Sequence, residues 1–200
     1  MSSPHPATAQ PLVLASQSPR RVELLREAGF TFDLLLPEVE EAHDASLTPE
    51  ALTVENARRK AHAGATLRPD ALVIGADTLV YVDGEPLGKP ADLEEALHMM
   101  QRLSGRQHQV CTGVYLASQG GAQGYGFHVI TEVTFLPLTE EIIRAYHARV
   151  NPLDKAGAYG IQECSEMILA SYEGSWTNVM GLPMERLKEE LAEASTSTFF

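Results

Sequence analysis

Ala71-Leu72-Val73-Ile74-Gly75-Ala76-Asp77-Thr78 is the stretch on which the fold turns. Its first six residues carry no polar side chain, and the run then breaks into a carboxylate and a hydroxyl. A short apolar run without alternation reads as a strand covered on both faces, the kind found at the centre of an α/β sheet. Immediately downstream, Leu79-Val80-Tyr81-Val82 and Glu85-Pro86-Leu87 flank Asp83-Gly84, a two-residue turn signal that predicts a hairpin. Gly88-Lys89-Pro90 follows, then a helical pattern with Leu93, Ala96, Leu97, Met100 and Leu103 on one face, the methionines filling core space.

Upstream, Thr48-Pro49-Glu50 is a helix start, and the helix it opens runs through Ala65 carrying Asn56, Arg58, Arg59 and Lys60. Before it, Phe30 to Leu36 reads as a strand stopped by Pro37 and the acidic Glu38-Val39-Glu40-Glu41. Leu12-Val13-Leu14-Ala15 reads as a buried strand feeding a helix with Ser18 at the N-cap, Pro19 at N1 and Gly29 just past the end.

Towards the C-terminus, Val110–Ala117 and Phe127–Leu136 read as a strand pair around the Gly-rich 120–124 segment. Thr139 caps a helix to about Arg149, and a loop with Lys155, Gly157 and Gly160 follows. Further strands are expected around Met167–Ala170 and Trp176–Met180, with Pro183 opening the last helix. Strands and helices interleave, so the expected fold is α/β with a mixed β-sheet. One domain over 12–192 is expected, between a disordered 1–11 and a flexible tail at 193–200.

The net charge of −12 argues against a nucleic-acid binder, which would carry a basic footprint. It does not exclude a phosphate ligand, because a small basic cluster can hold one inside an acidic protein. No apolar run is long enough to span a bilayer and the N-terminus lacks a signal-peptide pattern, so a cytoplasmic protein with no membrane association is expected. Cys111 and Cys164 have no redox or zinc spacing and are expected as buried free thiols. The seven histidines form no ligand motif.

The chemistry therefore falls to a few polar groups at the ends of apolar strands, where open α/β sheets bind ligands. Ser16, Ser18, Arg20 and Arg21 stand at a helix mouth, a natural phosphate cradle, although the arginines could equally solvate the helix start. Asp77 directly follows the central strand, where a carboxylate can hold Mg²⁺ or Mn²⁺, serve as a general base, or simply cap a turn. Glu40-Glu41 offers a second oxygen ligand or a solvated acidic pair. Lys60, Lys89 and the Lys155–Gln162 segment complete the set.

Leu14-Ala15-Ser16-Gln17-Ser18-Pro19-Arg20-Arg21-Val22-Glu23-Leu24-Leu25 resembles the opening motif of the Maf family. Gly75-Ala76-Asp77-Thr78 with Gly88-Lys89-Pro90, Leu103-Ser104-Gly105, Asp154 to Gln162, and Val179 to Pro183 match further family motifs in the same order. The resemblance implies a nucleoside triphosphate pyrophosphatase that needs a divalent cation. It also implies an elongated mixed sheet flanked by helices with a central cleft, similar to the inosine triphosphatases. By that resemblance Asp77 is the general base and a metal ligand, and Glu41 is the second acidic group at the metal. Ser16, Arg21, Lys60 and Lys89 contact phosphates, while Arg20, Thr78 and Gln162 match positions linked to base choice.

The spelling of the Asp77 and Gln162 motifs resembles the branch acting on dTTP and UTP, with Glu163 standing where that branch commonly has glycine. A Gln amide can meet the acceptor–donor edge of uracil or thymine. A broader activity on modified pyrimidine nucleotides belongs to the same reading. The family also allows a homodimer, and a rival role as a non-catalytic regulatory protein in septum formation. The presence of every position the chemistry needs favours the enzyme.

Overall fold

In the computed structural model, residues 10–44 and 46–196 are described. The expected disordered segment therefore lies outside the described residues for 1–9, and the expected tail for 197–200. The strands are β1 (Leu12–Ala15), β2 (Asp33–Leu35), β3 (Leu72–Val82), β4 (Glu85–Leu87), β5 (Gln107–Ser118), β6 (Gln123–Phe135) and β7 (Leu169–Glu173). The helices are α1 (Pro19–Glu27), α2 (Pro49–Leu67), α3 (Leu93–Leu103), α4 (Glu140–His147), α5 (Trp176–Met180) and α6 (Met184–Thr196). They build a seven-stranded sheet in the order β2-β1-β3-β5-β6-β7, with β4 paired to β3. β1 runs parallel to β2 and β3, while β4 on β3 and β7 on β6 are antiparallel, so the sheet is mixed as expected.

The chain divides into two compact units. The first takes the chain up to Asp77, Thr112–His128 and the part from Gly181 onward; the second takes Thr78–Cys111 and Val129–Met180. β3, β5 and β6 each contribute residues to both.

In the first unit, Val13, Ala15, Ala61, Ala65, Ala71 and Val73 form a core of small side chains between α2 and the strands. Thr48 caps α2 by accepting from the Ala51 N–H at 3.3 Å, as its position predicts. Ser18 precedes α1 as expected, yet its side chain makes no cap bond; its own N–H donates to Ser16 Oγ at 3.2 Å. Gly29 adopts φ +82 at the end of α1. The next N–H, of Phe30, closes the helix on Leu25 O at 3.0 Å, so β2 starts later than the sequence suggests.

In the second unit, Leu97, Met100 and Leu103 of α3 pack with Phe135, Ile143, Tyr146 and Ile161. Leu93, expected on that face, is 60% exposed. The 83–84 turn has φ +55 at Asp83 and +77 at Gly84, the left-handed pair that a tight hairpin needs. Trp176–Met180 is a helix rather than the expected strand. Gly174 at φ +122 turns the chain, and Ser175 Oγ then accepts from the Asn178 N–H at 3.1 Å. Trp176, Val179 and Met180 recur at helical spacing, a pattern too short to separate from a strand by eye. Neither cysteine is in a disulfide; Cys111 is buried, whereas Cys164 is only partly so.

His108 lies inside the second unit, its Nε2 2.8 Å from the Tyr159 hydroxyl and its ring edge-on to Phe135. Burial lowers its pKa from 6.5 to about 4. Between those values the unfolded chain binds the proton and the folded one does not, so stability falls as pH drops through that window. Between pH 7 and pH 5 the loss from this group is about 2 kcal/mol. In urea titrations, His108→Gln is expected to lose that much less stability over the same interval. Parallel losses in the variant and the wild type would show that this histidine does not set the acid sensitivity.

Candidate active site

Asp77 lies in the interior of β3, not at a strand end. The apolar run continues beyond it as Leu79–Val82, and the sequence alone does not reveal that both parts are one strand. A carboxylate embedded in a sheet and only 7% exposed needs partners. It has one on each oxygen: Lys60 Nζ lies 2.7 Å from Oδ1, and Asn56 Nδ2 donates to Oδ2 at 3.3 Å. Asn56 and Lys60 are one helical turn apart on α2, so both leave the same helix face.

That face reaches the strand because the residues beside it are small. Ala57, Ala61, Gly64 and Ala65 are fully buried along α2. A methyl added at Gly75 would overlap the Ala57 carbonyl oxygen and crowd the Ala61 N–H. Glycine at 75 therefore sets the distance between helix and strand, and with it the reach of Asn56 and Lys60 to Asp77.

Glu41 joins through the same lysine, its Oε1 2.7 Å from Lys60 Nζ. The segment carrying Glu41 has no regular structure and is tied to α2 instead. Asn56 Oδ1 accepts from the Ala42 N–H at 2.7 Å, Asn56 Nδ2 donates to Ala42 O at 3.3 Å, and Arg59 donates to Glu40 O at 3.2 Å. One ammonium thus sits between two carboxylates, and one carboxamide spans the strand and the acidic loop. Among the described residues no group of three or more His, Cys, Asp or Glu is placed to hold a metal, so any metal fit rests on the Glu41–Asp77 pair.

Ser16 and Arg21 form a second cluster in the first unit. Ser16 Oγ accepts from Arg21 at 3.0 Å, and Arg21 also donates to Ala76 O at 2.9 Å and Gly181 O at 2.7 Å. Burial lowers the Arg21 pKa to about 10; the Asp77 charge opposes that shift, and the Arg20 charge adds to it. Arg21 therefore braces three backbone segments around the end of β1, a role that its place at a helix mouth does not suggest. Arg20, beside it in the first turn of α1, is partly exposed.

The remaining predicted residues belong to the second unit. Thr78 follows Asp77 along β3, and successive side chains of a strand leave on opposite faces. Lys89 is exposed on its loop, and Gly88 O accepts from the Gly157 N–H at 3.0 Å, joining that loop to the 155–162 segment. Tyr146 holds this segment by accepting from Gly160 N–H at 3.0 Å and donating to Gly160 O at 3.1 Å. Lys155 is 4% exposed and bonds Asn151 O and Asp154, with Glu163 Oε2 at 3.1 Å. The extra charge at position 163 is therefore paired. Gln162 is half-buried, and its Oε1 is enclosed without a hydrogen-bond partner among the described residues.

Sequence reasoning gave no role to Asn56 or Tyr146. The four-residue step from Asn56 to Lys60 was a usable signal for the first. Nothing local marks Tyr146, whose partner lies 14 residues away.

A family model described as Maf-like protein matches residues 11–194. A dTTP/UTP pyrophosphatase of Akkermansia muciniphila is 50% identical over 174 residues, covering 87% of this chain and 91% of that protein. One of the same name from Symbiobacterium thermophilum is 48% identical over 184 residues, covering 92% and 94%. Among solved structures, the Staphylococcus aureus Ham1 protein aligns with a TM-score of 0.54 at 15% identity over 92% of this chain and 98% of its own, a likeness of fold.

Replacing Gly75 by Ala is expected to lower the unfolding free energy by about 3 kcal/mol, because backbone rather than a pliable side chain blocks the methyl. Chemical denaturation of the variant checks this, and a loss below about 0.5 kcal/mol would contradict the close approach.

Proposed function

The chain belongs to the Maf family, and from that membership we propose that it is a nucleoside triphosphate pyrophosphatase cleaving dTTP and UTP to the monophosphate and pyrophosphate. The relatives that share this name cover nearly the whole chain. The observation carrying the reading is the Asp77–Lys60–Glu41 cluster, a buried carboxylate with a cation beside it and a second carboxylate on that cation.

Two carboxylates converging on one positive charge fit a hard divalent cation such as Mg²⁺ or Mn²⁺, which takes oxygen ligands and keeps room for water and phosphate oxygens. When bound, that ion would neutralise charge building on the phosphate oxygens. Asp77 and Glu41 are the residues assigned to hold it.

In the reaction, a water oxygen bonds to the α-phosphorus, the bond to the bridging oxygen of the β-phosphate breaks, and pyrophosphate departs with the electron pair. Asp77 orients that water and takes its proton. Lys60 exchanges a carboxylate oxygen for a phosphate oxygen, holding charge where it develops. Ser16 and Arg21 are assigned to phosphate at the mouth of α1, where Arg21 is braced by Ala76 O and Gly181 O, and Arg20 beside them is assigned to base choice.

In the second unit, Lys89 is assigned to phosphate, and Gln162 and Thr78 to the base. The Gln162 carboxamide offers both a donor and an acceptor, the pair needed to meet the edge of uracil or thymine. A cytoplasmic small-molecule enzyme without nucleic-acid partners fits the acidic composition. Among the described residues, no helix is long and apolar enough to cross a membrane.

Pyrophosphate release from a panel of canonical and modified triphosphates, with Mg²⁺ or Mn²⁺, tests the reaction. Turnover of dTTP and UTP is expected, falling by about 10²–10⁴-fold in Asp77→Asn. Absence of turnover on every triphosphate would refute the enzyme assignment. Gln162→Ala is expected to erase most of the preference for dTTP and UTP over CTP, and an unchanged ratio of kcat/KM values would remove Gln162 from base recognition.

A further inference from the structure

Asn56 makes three hydrogen bonds and is 3% exposed. Its carboxamide oxygen takes the Ala42 N–H at 2.7 Å, and its amide nitrogen serves both Ala42 O and Asp77 Oδ2, each at 3.3 Å. As an uncharged group it ties the strand that carries Asp77 to the loop that carries Glu41. Lys60 touches both as a charge, and a charge can move to another anion. The carboxamide has no such alternative: an anion offers its oxygen nothing, and its nitrogen is already committed on the Asp77 side.

We propose that Asn56 is a positioning residue that fixes which oxygen of Asp77 faces the cation and holds the Glu41 loop at the matching distance. Asn56 bonds Oδ2 while Oδ1 is the oxygen on the side shared with Lys60 and Glu41, which orients the carboxylate. The Ala42 pair sets the loop directly, because both backbone groups of the residue following Glu41 are held by one rigid planar group. Acidic residue, cation and second acidic residue thereby keep their register when Lys60 shifts to a phosphate. This inference rests on the pyrophosphatase reading for its kinetic consequences, but not for its effect on cation binding.

Metal ligands held by a hydrogen-bonded outer shell typically lose about 10–100-fold in metal affinity or activity when that shell is removed. Asn56→Ala should therefore weaken Mn²⁺ binding about tenfold, read by the electron paramagnetic resonance signal of free Mn²⁺ in the presence of a non-hydrolysable dUTP analogue. Its kcat should fall about 10–100-fold while KM for dTTP changes by less than about threefold, a split that general loosening of the fold would not give.

In a double-mutant cycle with Glu41→Gln, the two losses should be clearly less than additive, because each removes the same loop contribution. Mn²⁺ affinity and kcat both within about threefold of wild type, whatever the melting temperature, would overturn the proposal, as would strictly additive losses. If Asn56→Ala does not fold, Asn56→Asp decides. It keeps the acceptor for the Ala42 N–H and loses both donations of the amide nitrogen, to Ala42 O and to Asp77, as well as setting a second charge beside Asp77; an unchanged kcat and Mn²⁺ affinity overturn the proposal, and a kcat loss of tenfold or more that Asn56→Gln partly restores supports it. A wild type inactive on every triphosphate would count against the pyrophosphatase reading alone, leaving the Mn²⁺ measurement to decide the role of Asn56.

Discussion

How near α2 can come to β3 governs the polar contacts of Asp77 with Asn56 and Lys60. A helix packed on a sheet normally stands off by the depth of the side chains between them. Here Gly75 offers no side chain, and Ala57 and Ala61 offer a methyl each. The backbones approach until an added carbon would overlap the Ala57 carbonyl. Only at that distance can a short asparagine side chain span from α2 to a strand carboxylate and still turn its other end to a loop. With a standard leucine seam, Lys60 would still reach Asp77 through its longer stem, but Asn56 would not. The glycine of the Gly75-Ala76-Asp77 sequence is thus a spacing device for chemistry two residues away.

That spacing sets the electrostatics. An ionised carboxylate inside a sheet is tolerated when its charge is matched and its lone pairs are bonded. Asp77 has Lys60 on one oxygen and Asn56 on the other. The buried Arg21 also feels its charge, although burial itself pulls the Arg21 pKa down to about 10. Arg21 spends its guanidinium on Ser16, Ala76 and Gly181, and so joins the segments before and after the cluster. A buried arginine with good bonds to backbone carbonyls is a costly but rigid brace.

Much of this was legible in the residues. The apolar run before Asp77, the caps at Thr48 and Thr139, the turn at Asp83-Gly84 and the glycine stop at Gly29 each carry a local signal, and each stands where it was read. Most of what escaped had no local signal. The continuation of β3 through Asp77 depends on pairing partners far away in sequence. Trp176–Met180 spans little more than one helical turn, too short for periodicity to declare itself. The Ser16–Arg21 mouth reads as a phosphate cradle because helix N-termini attract anions, but it does not disclose that Arg21 turns inward to three backbone and hydroxyl oxygens. Asn56 was visible as a helix residue, and its value lay in the Ala42 backbone, whose position no spacing rule gives.

An acidic protein that acts on an anion has to solve its charge problem locally. The chain carries −12 in total, yet Arg20, Arg21 and Lys60 stand near Asp77 and Glu41 in the first unit, three positive charges to two negative. Charges farther off than about 8–10 Å are largely screened at physiological salt, so this local sum outweighs the global one for a bound ligand. Within that sum, the single Lys60 ammonium balances Asp77 and Glu41 only partly, which on the proposed reading leaves a place for a second cation of higher charge. On the proposed reading, a polyanion arriving with such a cation would give Lys60 a new partner without leaving the carboxylates unpaired. Cation and anion would then each bind better in the presence of the other, a coupling that one lysine lying 2.7 Å from both acids makes available.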